Sequence, residues 1–253
     1  MQPPSKEAIR SELLSLSHHL GEEPRDYVII GEGNTSARID PATFFVKASG
    51  RNLASLDPDG LVEIDQRRVL ELLDAQASDE DVACGLLEAC LAGAPGARPS
   101  VETILHAVLY QLTDAGFIGH THPVAVNAIL CSARAAEITR HLMPDEIVVC
   151  GPDSLFIPYT DPGLPLARQV RSRVAGFSAR HAQYPRVIYL QNHGLFALGQ
   201  TIRQVENITA MAVKHARVLA ASYALGEPHW LDERDVARIH TRPDEDVRRA
   251  QFK

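Results

Sequence analysis

The stretch Phe117-Ile118-Gly119-His120-Thr121-His122-Pro123 is the one from which the rest of the chain is read. Alternate residues of a strand face the same side. Read as a strand, residues 117–122 project His120 and His122 together. A third histidine stands downstream in Gln191-Asn192-His193-Gly194-Leu195, between apolar runs at 187–191 and 196–198 that read as strands. Three neutral imidazole nitrogens on one divalent cation leave coordination positions open for a substrate, the layout of a catalytic metal site. The chain has 11 histidines in 253 residues, so roughly half a pair at this spacing is expected by chance. Spacing alone therefore leaves a partly buried polar strand end as an equal reading, and context has to decide.

The upstream segment supplies context. Pro99-Ser100-Val101-Glu102 is followed by Thr103-Ile104-Leu105-His106-Ala107-Val108-Leu109-Tyr110. It reads as a helix with Ser100 as its N-cap and Gly116 as a stop. Glu102 then falls in the first turn, where the helix dipole favours a carboxylate. It is either a simple N-terminal charge or, a short connection away from the histidine strand, a proton-transfer group beside a metal. His106, four residues on, shares its helix face and reads as a supporting hydrogen-bond partner.

Residues 5–20 have helical periodicity, with Ile9, Leu13, Leu14 and Leu16 near one face. Residues 26–30 read as a strand running into Gly31-Glu32-Gly33-Asn34. Residues 36–39 and 43–47 alternate like hairpin arms around Asp40-Pro41. Residues 61–64 read as a strand and Asp65 as the cap of a helix. Residues 78–92 read as a helix, 123–130 and 135–141 as helical, and 146–150 as extended. Tyr159-Thr160-Asp161-Pro162-Gly163 is a turn before a helix from 164 to about 177, and 201–225 is a long helix. Intermingled helices and strands without repeats give one α/β domain with a mainly antiparallel sheet as the simplest packing.

Hydrophobic content is 45%, charged content 23% and formal net charge −7. That acidity argues against nucleic acid as the main partner. No stretch approaches a membrane span, and the N-terminus has no hydrophobic signal core. Cys84, Cys90, Cys131 and Cys150 form no CxxC pair and read as core thiols of a reducing compartment. The expectation is a cytoplasmic protein with a small-molecule partner.

Two small-residue loops stand at strand ends: Gly33-Asn34-Thr35-Ser36 and Ala48-Ser49-Gly50. Such loops can cradle an anion or form tight turns closed by side-chain bonds. Lys47 and Arg51 would add positive charge at the second. Glu32 argues the other way, because an acid there would repel a phosphate.

Taken in order, these segments resemble the class II aldolase/adducin family over roughly residues 8–222. Gly33-Asn34-Thr35-Ser36 and Ala48-Ser49-Gly50 are similar to its two phosphate loops, and Pro99-Ser100-Val101-Glu102 to its catalytic-acid segment. His120-Thr121-His122 and Asn192-His193-Gly194-Leu195 are similar to its metal-ligand motifs. The resemblance implies one class II aldolase/adducin-like domain over residues 1–253, with a charged C-terminal tail from about 231. It implies a three-layer α/β/α fold with a central, mostly antiparallel sheet. It further implies a homotetramer and Zn2+, or Mn2+ or Co2+, on His120, His122 and His193. Glu102 would transfer protons. Asn34, Ser49, Gly50 and Ser100 would hold an anionic end of the substrate. Tyr159, in a segment similar to a family tyrosine turn, would protonate a departing aldehyde from the neighbouring subunit.

The activity so implied is metal-dependent lyase chemistry: aldol cleavage of a C–C bond in a small hydroxy-ketone or sugar phosphate through an enediolate. Decarboxylation, epimerisation or dehydration of a sugar-acid-derived substrate are the alternatives within the family, since fold does not settle reaction. A non-catalytic, adducin-like interaction module is a third reading, whose expected sign is loss of metal ligands. Val101, where many members have a second serine, and Glu32 depart from the family pattern and weaken the anion cradle.

Overall fold

The computed structural model describes residues 4–245. Residues 246–253, the end of the charged tail, lie outside the described residues. Eight strands form one sheet: β1 (Asn34–Arg38), β2 (Thr43–Lys47), β3 (Leu61–Asp65), β4 (Cys90–Ala92), β5 (Phe117–Thr121), β6 (Leu155–Ile157), β7 (Val187–Leu190) and β8 (Gly194–Gly199). Their spatial order is β4-β3-β2-β1-β5-β8-β7-β6. All neighbours pair antiparallel except β6 and β7, which are parallel.

Helices cover both faces. On one side lie α2 (Gln66–Asp74), α3 (Asp79–Glu88), α4 (Thr103–Leu112) and α7 (Leu164–His181), around a core with Phe44, Ile64, Ile104, Leu109, Ile118 and Phe196. On the other lie α1 (Lys6–Leu20), α5 (Val124–Leu130), α6 (Pro144–Cys150) and α8 (Ile202–Leu225), around Leu13, Leu16, Phe45, Tyr189 and Ala212. The result is the expected α/β/α arrangement. A short α9 (Glu233–His240) packs against α6.

Local chemistry sets many of these boundaries. Ser5 Oγ, Asp65 Oδ1 and Thr201 Oγ1 each accept from a backbone N–H three residues on, capping α1, α2 and α8. The apolar stripe of α1 puts Leu13, Leu16 and Leu20 out of water altogether, each contributing roughly 1.5–3 kcal/mol. β5 alternates as its period requires: Ile118 and His120 face α4. Gly119 faces α1 and α8, where a Cβ would come within 2.8 Å of Leu20 and Val205.

Several expectations are corrected. Residues 26–30 are not a strand, because Asp26 and Ile30 take φ of 59° and 60°, outside strand geometry. Instead, the carbonyls of Asp26 and Tyr27 accept from the N–H groups of Val124 and His122, tying this loop to the end of β5. The helix expected over 78–92 stops at Glu88, and Cys90–Ala92 leaves it to pair with the edge of β3. Residues 146–150 are helical, not extended. Their β-branched run imitates a strand, but Pro144 at the first turn and the acids behind it start a helix. β6 is too short, at three residues, to show an alternating pattern. The four cysteines are free, and only Cys150 is fully buried; Cys84 and Cys131 are exposed. Among the described residues no helix is long and apolar enough to cross a membrane.

The helical reading of 144–150 buries a charge. Glu146 is 3% exposed, with its carboxylate 3.2 Å from His141 Nδ1 and 2.8 Å from His215 Nδ1. Burial pushes the carboxyl up, but the two histidines more than offset it and hold it below the usual range. Burial likewise opposes the charged form of His141, whose pKa is nonetheless raised by Glu146. The carboxylate contribution is present above its unfolded value near 4.5 and is lost as pH falls through the depressed folded value. The His141 contribution is full below about 6.5 and is lost as pH rises through its raised folded value. Glu146→Gln should therefore destabilise the protein by about 3–5 kcal/mol, most between roughly pH 4.5 and 6.5. Urea unfolding across pH tests this; a pH-independent difference contradicts it.

Candidate active site

β5 and β8 pair in register His120↔Phe196 and Thr121↔Leu195, which brings the turn before β8 alongside the end of β5. Gly194 permits that approach, since a Cβ there would lie 2.4 Å from Thr121 O and 2.7 Å from His122 Cδ2. Asn192, at φ 57°, turns the chain so that His193 faces back over β5. The three histidines then converge. His120 Nε2 lies 2.9 Å from His122 Nε2 and 3.3 Å from His193 Nε2. Glu102, the residue before α4, joins them: its Oε1 is 3.0 Å from His193 Nε2 and 3.4 Å from His120 Nε2.

The donor set fits a divalent cation. The Nδ1 of His120 donates to Leu195 O at 2.9 Å, so in the neutral ring the lone pair sits on Nε2. Phe196 stacks on that ring with centroids 4.2 Å apart. Burial, then repulsion from His120 and His193, pushes His122 down to about 3. Lone pairs facing one another across 2.9 Å repel unless a cation or proton lies between them. One ligand atom from each of Glu102, His120, His122 and His193 lies within 4.8 Å of the others, as ligands sharing one cation at about 2.0–2.2 Å would.

A chain of hydrogen bonds holds Glu102 from behind. Asn34 Nδ2 donates to Glu102 Oε2 at 2.5 Å. Asn34 Oδ1 in turn accepts from His106 Nε2. His106 Nδ1 accepts from Ser36 Oγ at 2.6 Å, and Ser36 Oγ accepts from Tyr110 OH at 2.8 Å. Every donor points toward the carboxylate, which favours its ionised form. Burial would raise the Glu102 carboxyl, yet His120 and His193 hold it well below the usual carboxylate range. Burial pushes His106 down to about 3, leaving it neutral.

His106 thus makes the supporting bond expected of it. Ser36, expected only as the end of an anion loop, and Tyr110, expected only as a helix residue, complete the chain. The available signal was the i, i+4, i+8 spacing of Glu102, His106 and Tyr110 along one helix face, and the i, i+2 spacing of Asn34 and Ser36 on a strand. Ser100 is not the N-cap of α4; Glu102 occupies that position. The Ser100 Oγ is buried with no hydrogen-bond partner.

The two small-residue loops also take definite places. Asn34 pairs with His120 across β1 and β5, and its side-chain amide is engaged at both ends by Glu102 and His106. An isolated bridge between Ala48 and Pro99, with Ser49 N donating to Arg98 O at 2.7 Å, brings Ser49 and Gly50 beside Ser100. Gly50 has φ 75° and open space where a Cβ would stand. Lys47 does not face this opening: its buried ammonium donates to Gly31 O at 3.1 Å and Arg51 O at 2.5 Å, tying the two loops together. Tyr159 is 61% exposed and shares the wall of a cavity of about 250 Å3 with Gln191, Asn192 and His193 of the same chain.

Residues 11–220 match the profile of the class II aldolase and adducin N-terminal domain. The chain is 29% identical over 216 residues to an uncharacterized oxidoreductase, YuxG, of Bacillus subtilis, covering 81% of this chain but only 28% of that protein. It is 27% identical over 228 residues to methylthioribulose-1-phosphate dehydratase of Yersinia enterocolitica, covering 85% of this chain and 95% of that one. Among solved structures, the class II aldolase domain of a Thermoplasma acidophilum protein superposes with a TM-score of 0.67 at 24% identity, over 87% and 99% of the two chains. An L-fuculose 1-phosphate aldolase superposes with a TM-score of 0.69 at 20% identity, over 94% and 96%. At these identities the structural likeness carries the fold alone.

Proposed function

We propose, from the premise that the chain belongs to the class II aldolase and adducin family, whose aldolase members are metal-dependent enzymes, that it is a lyase of a small anionic hydroxy-ketone. The observation that carries this is the convergence of His120, His122, His193 and Glu102. His120, His122 and His193 would hold a divalent metal, for which Zn2+ is the first choice and Mn2+ or Co2+ the alternatives. When bound, such a cation polarises a substrate carbonyl and stabilises negative charge developing beside it.

The chain's own residues do the rest. Glu102, ionised and held by Asn34, accepts a proton at Oε1 and returns it on the same side of the substrate. Ser49, Gly50 and Ser100 hold the anionic end, with the partnerless Ser100 hydroxyl as a donor; Asn34 serves by fixing Glu102 beside them. Tyr159 faces the cavity at His193 and is the candidate proton donor at the departing end. Its place beside His193 of its own chain supports a same-chain role, where the family resemblance implies action in the site of a neighbouring subunit of a homotetramer.

Aldol cleavage is the first reading. Dehydration is the second, favoured by the Yersinia dehydratase, which the match covers over 95% of its length. Both need one proton moved next to a carbonyl, which is what Glu102 offers. Incubation with ketose 1-phosphates, followed by mass spectrometry, separates them: two carbon fragments mean cleavage, and an intact skeleton lacking one water means dehydration. Inorganic phosphate should compete with the phosphorylated substrate. No competition would shift the anchor from phosphate to carboxylate and favour decarboxylation.

A further inference from the structure

Glu32 looked out of place in a loop expected to bind an anion, but the structure gives its charge a different neighbour. Its Oε2 lies 3.3 Å from Nδ1 of His122, 90 residues away in sequence. Its Oε1 accepts from Ile29 N at 2.7 Å, and Ile29 O accepts in return from Glu32 N at 3.3 Å. The carboxylate is therefore fixed at one oxygen by its own loop and presents the other to the imidazole.

The loop itself is anchored. Lys47 Nζ donates to Gly31 O, and Tyr27 O accepts from His122 N. Ile30 takes φ 60° and Gly33 φ 69°. A β-branched residue at positive φ is strained, so this conformation is sustained by contacts such as these. Glu32 and His122 thus approach from two segments already tied to each other through the backbone.

We propose that Glu32 is a positioning residue of the metal site, accepting the Nδ1 proton of His122 so that the ring presents its Nε2 lone pair to a divalent cation. An ionised carboxylate can only accept, so the contact selects the Nδ1–H tautomer. The ring is thereby aimed at the point where Nε2 of His120 lies 2.9 Å away. A carboxylate behind a ligating imidazole also makes the ring a stronger donor than a carbonyl would. The buried His120 is served by a carbonyl, Leu195 O; the more accessible His122 receives the charged partner. This inference rests on the reading of His122 as a ligand.

The test measures Zn2+ affinity by competition with a chromogenic chelator in the wild type, Glu32→Ala, Glu32→Gln and His122→Ala, together with the Tm of each metal-free protein. Glu32→Ala should bind Zn2+ about 10–100-fold more weakly. Glu32→Gln should recover part of the loss, because its amide oxygen can still accept from Nδ1. The metal-free Tm of both should stay near that of the wild type. Wild-type affinity in Glu32→Ala, alongside lost binding in His122→Ala, would overturn the role of Glu32 and leave the metal site standing. A fall in metal-free Tm matching the affinity loss, with no recovery in Glu32→Gln, would reduce Glu32 to a loop clamp and also overturn it. Wild-type affinity in His122→Ala would overturn both readings together.

Discussion

Glu102→Gln should lower turnover by about 10²–10⁴-fold, the range for losing a general acid or base, and should leave the metal bound. The glutamine is nearly isosteric and can keep a contact with Asn34, but it cannot take up a proton at the substrate. Three histidines remain for the cation. The loss should appear in kcat more than in KM, since the change removes an interaction realised during the reaction. The carboxylate stands 3.0 Å from His193 Nε2, so a direct bond from Glu102 to the cation is the competing role. Loss of metal from the purified Gln variant would establish that role instead.

His193→Ala should bring activity to background by a different route. Removing it takes away one nitrogen of the converging set and the residue that faces the cavity shared with Tyr159. The remaining pair, His120 and His122, sit two apart on one segment and offer two nitrogens. Glu102 would become the third ligand at the expense of its free carboxylate. Metal content and activity should fall together, whereas in Glu102→Gln only activity falls. Circular dichroism should show both variants folded, because His193 lies in a turn and Gly194, which the packing requires, is untouched.

Much of this was legible in the sequence wherever a local rule governs. Asp65 caps its helix as its sequence implies, because the capping carboxylate and the N–H it serves are three residues apart; Ser100 fits the same rule, but Glu102 takes the position. The i, i+2 placement of His120 and His122 follows from the strand period. Residues 146–150 were misread because a short β-branched run fits either a strand or a buried helix, and Pro144 weighs more than the pattern. The strand expected at 26–30 failed because Asp26 and Ile30 take positive φ and the Asp26 and Tyr27 carbonyls bond to Val124 and His122 instead of to a neighbouring strand. In the site, the residue types were legible but the long-range partners were not. Lys47 reads as a cation for a ligand, yet it is spent on Gly31 and Arg51 carbonyls. The sign of Glu32 was plain; its neighbour His122 could be found only once β5 and the 27–33 loop were laid side by side.

His120, His122 and His193 converge as one proposed divalent metal site. Elemental analysis of the native protein and of His193→Ala, both purified without chelator, tests it most directly. The native protein should carry one divalent transition metal per chain, and the variant should lose most of it. Equal metal content in both, or a native protein that takes up no divalent metal even when it is supplied, would contradict it.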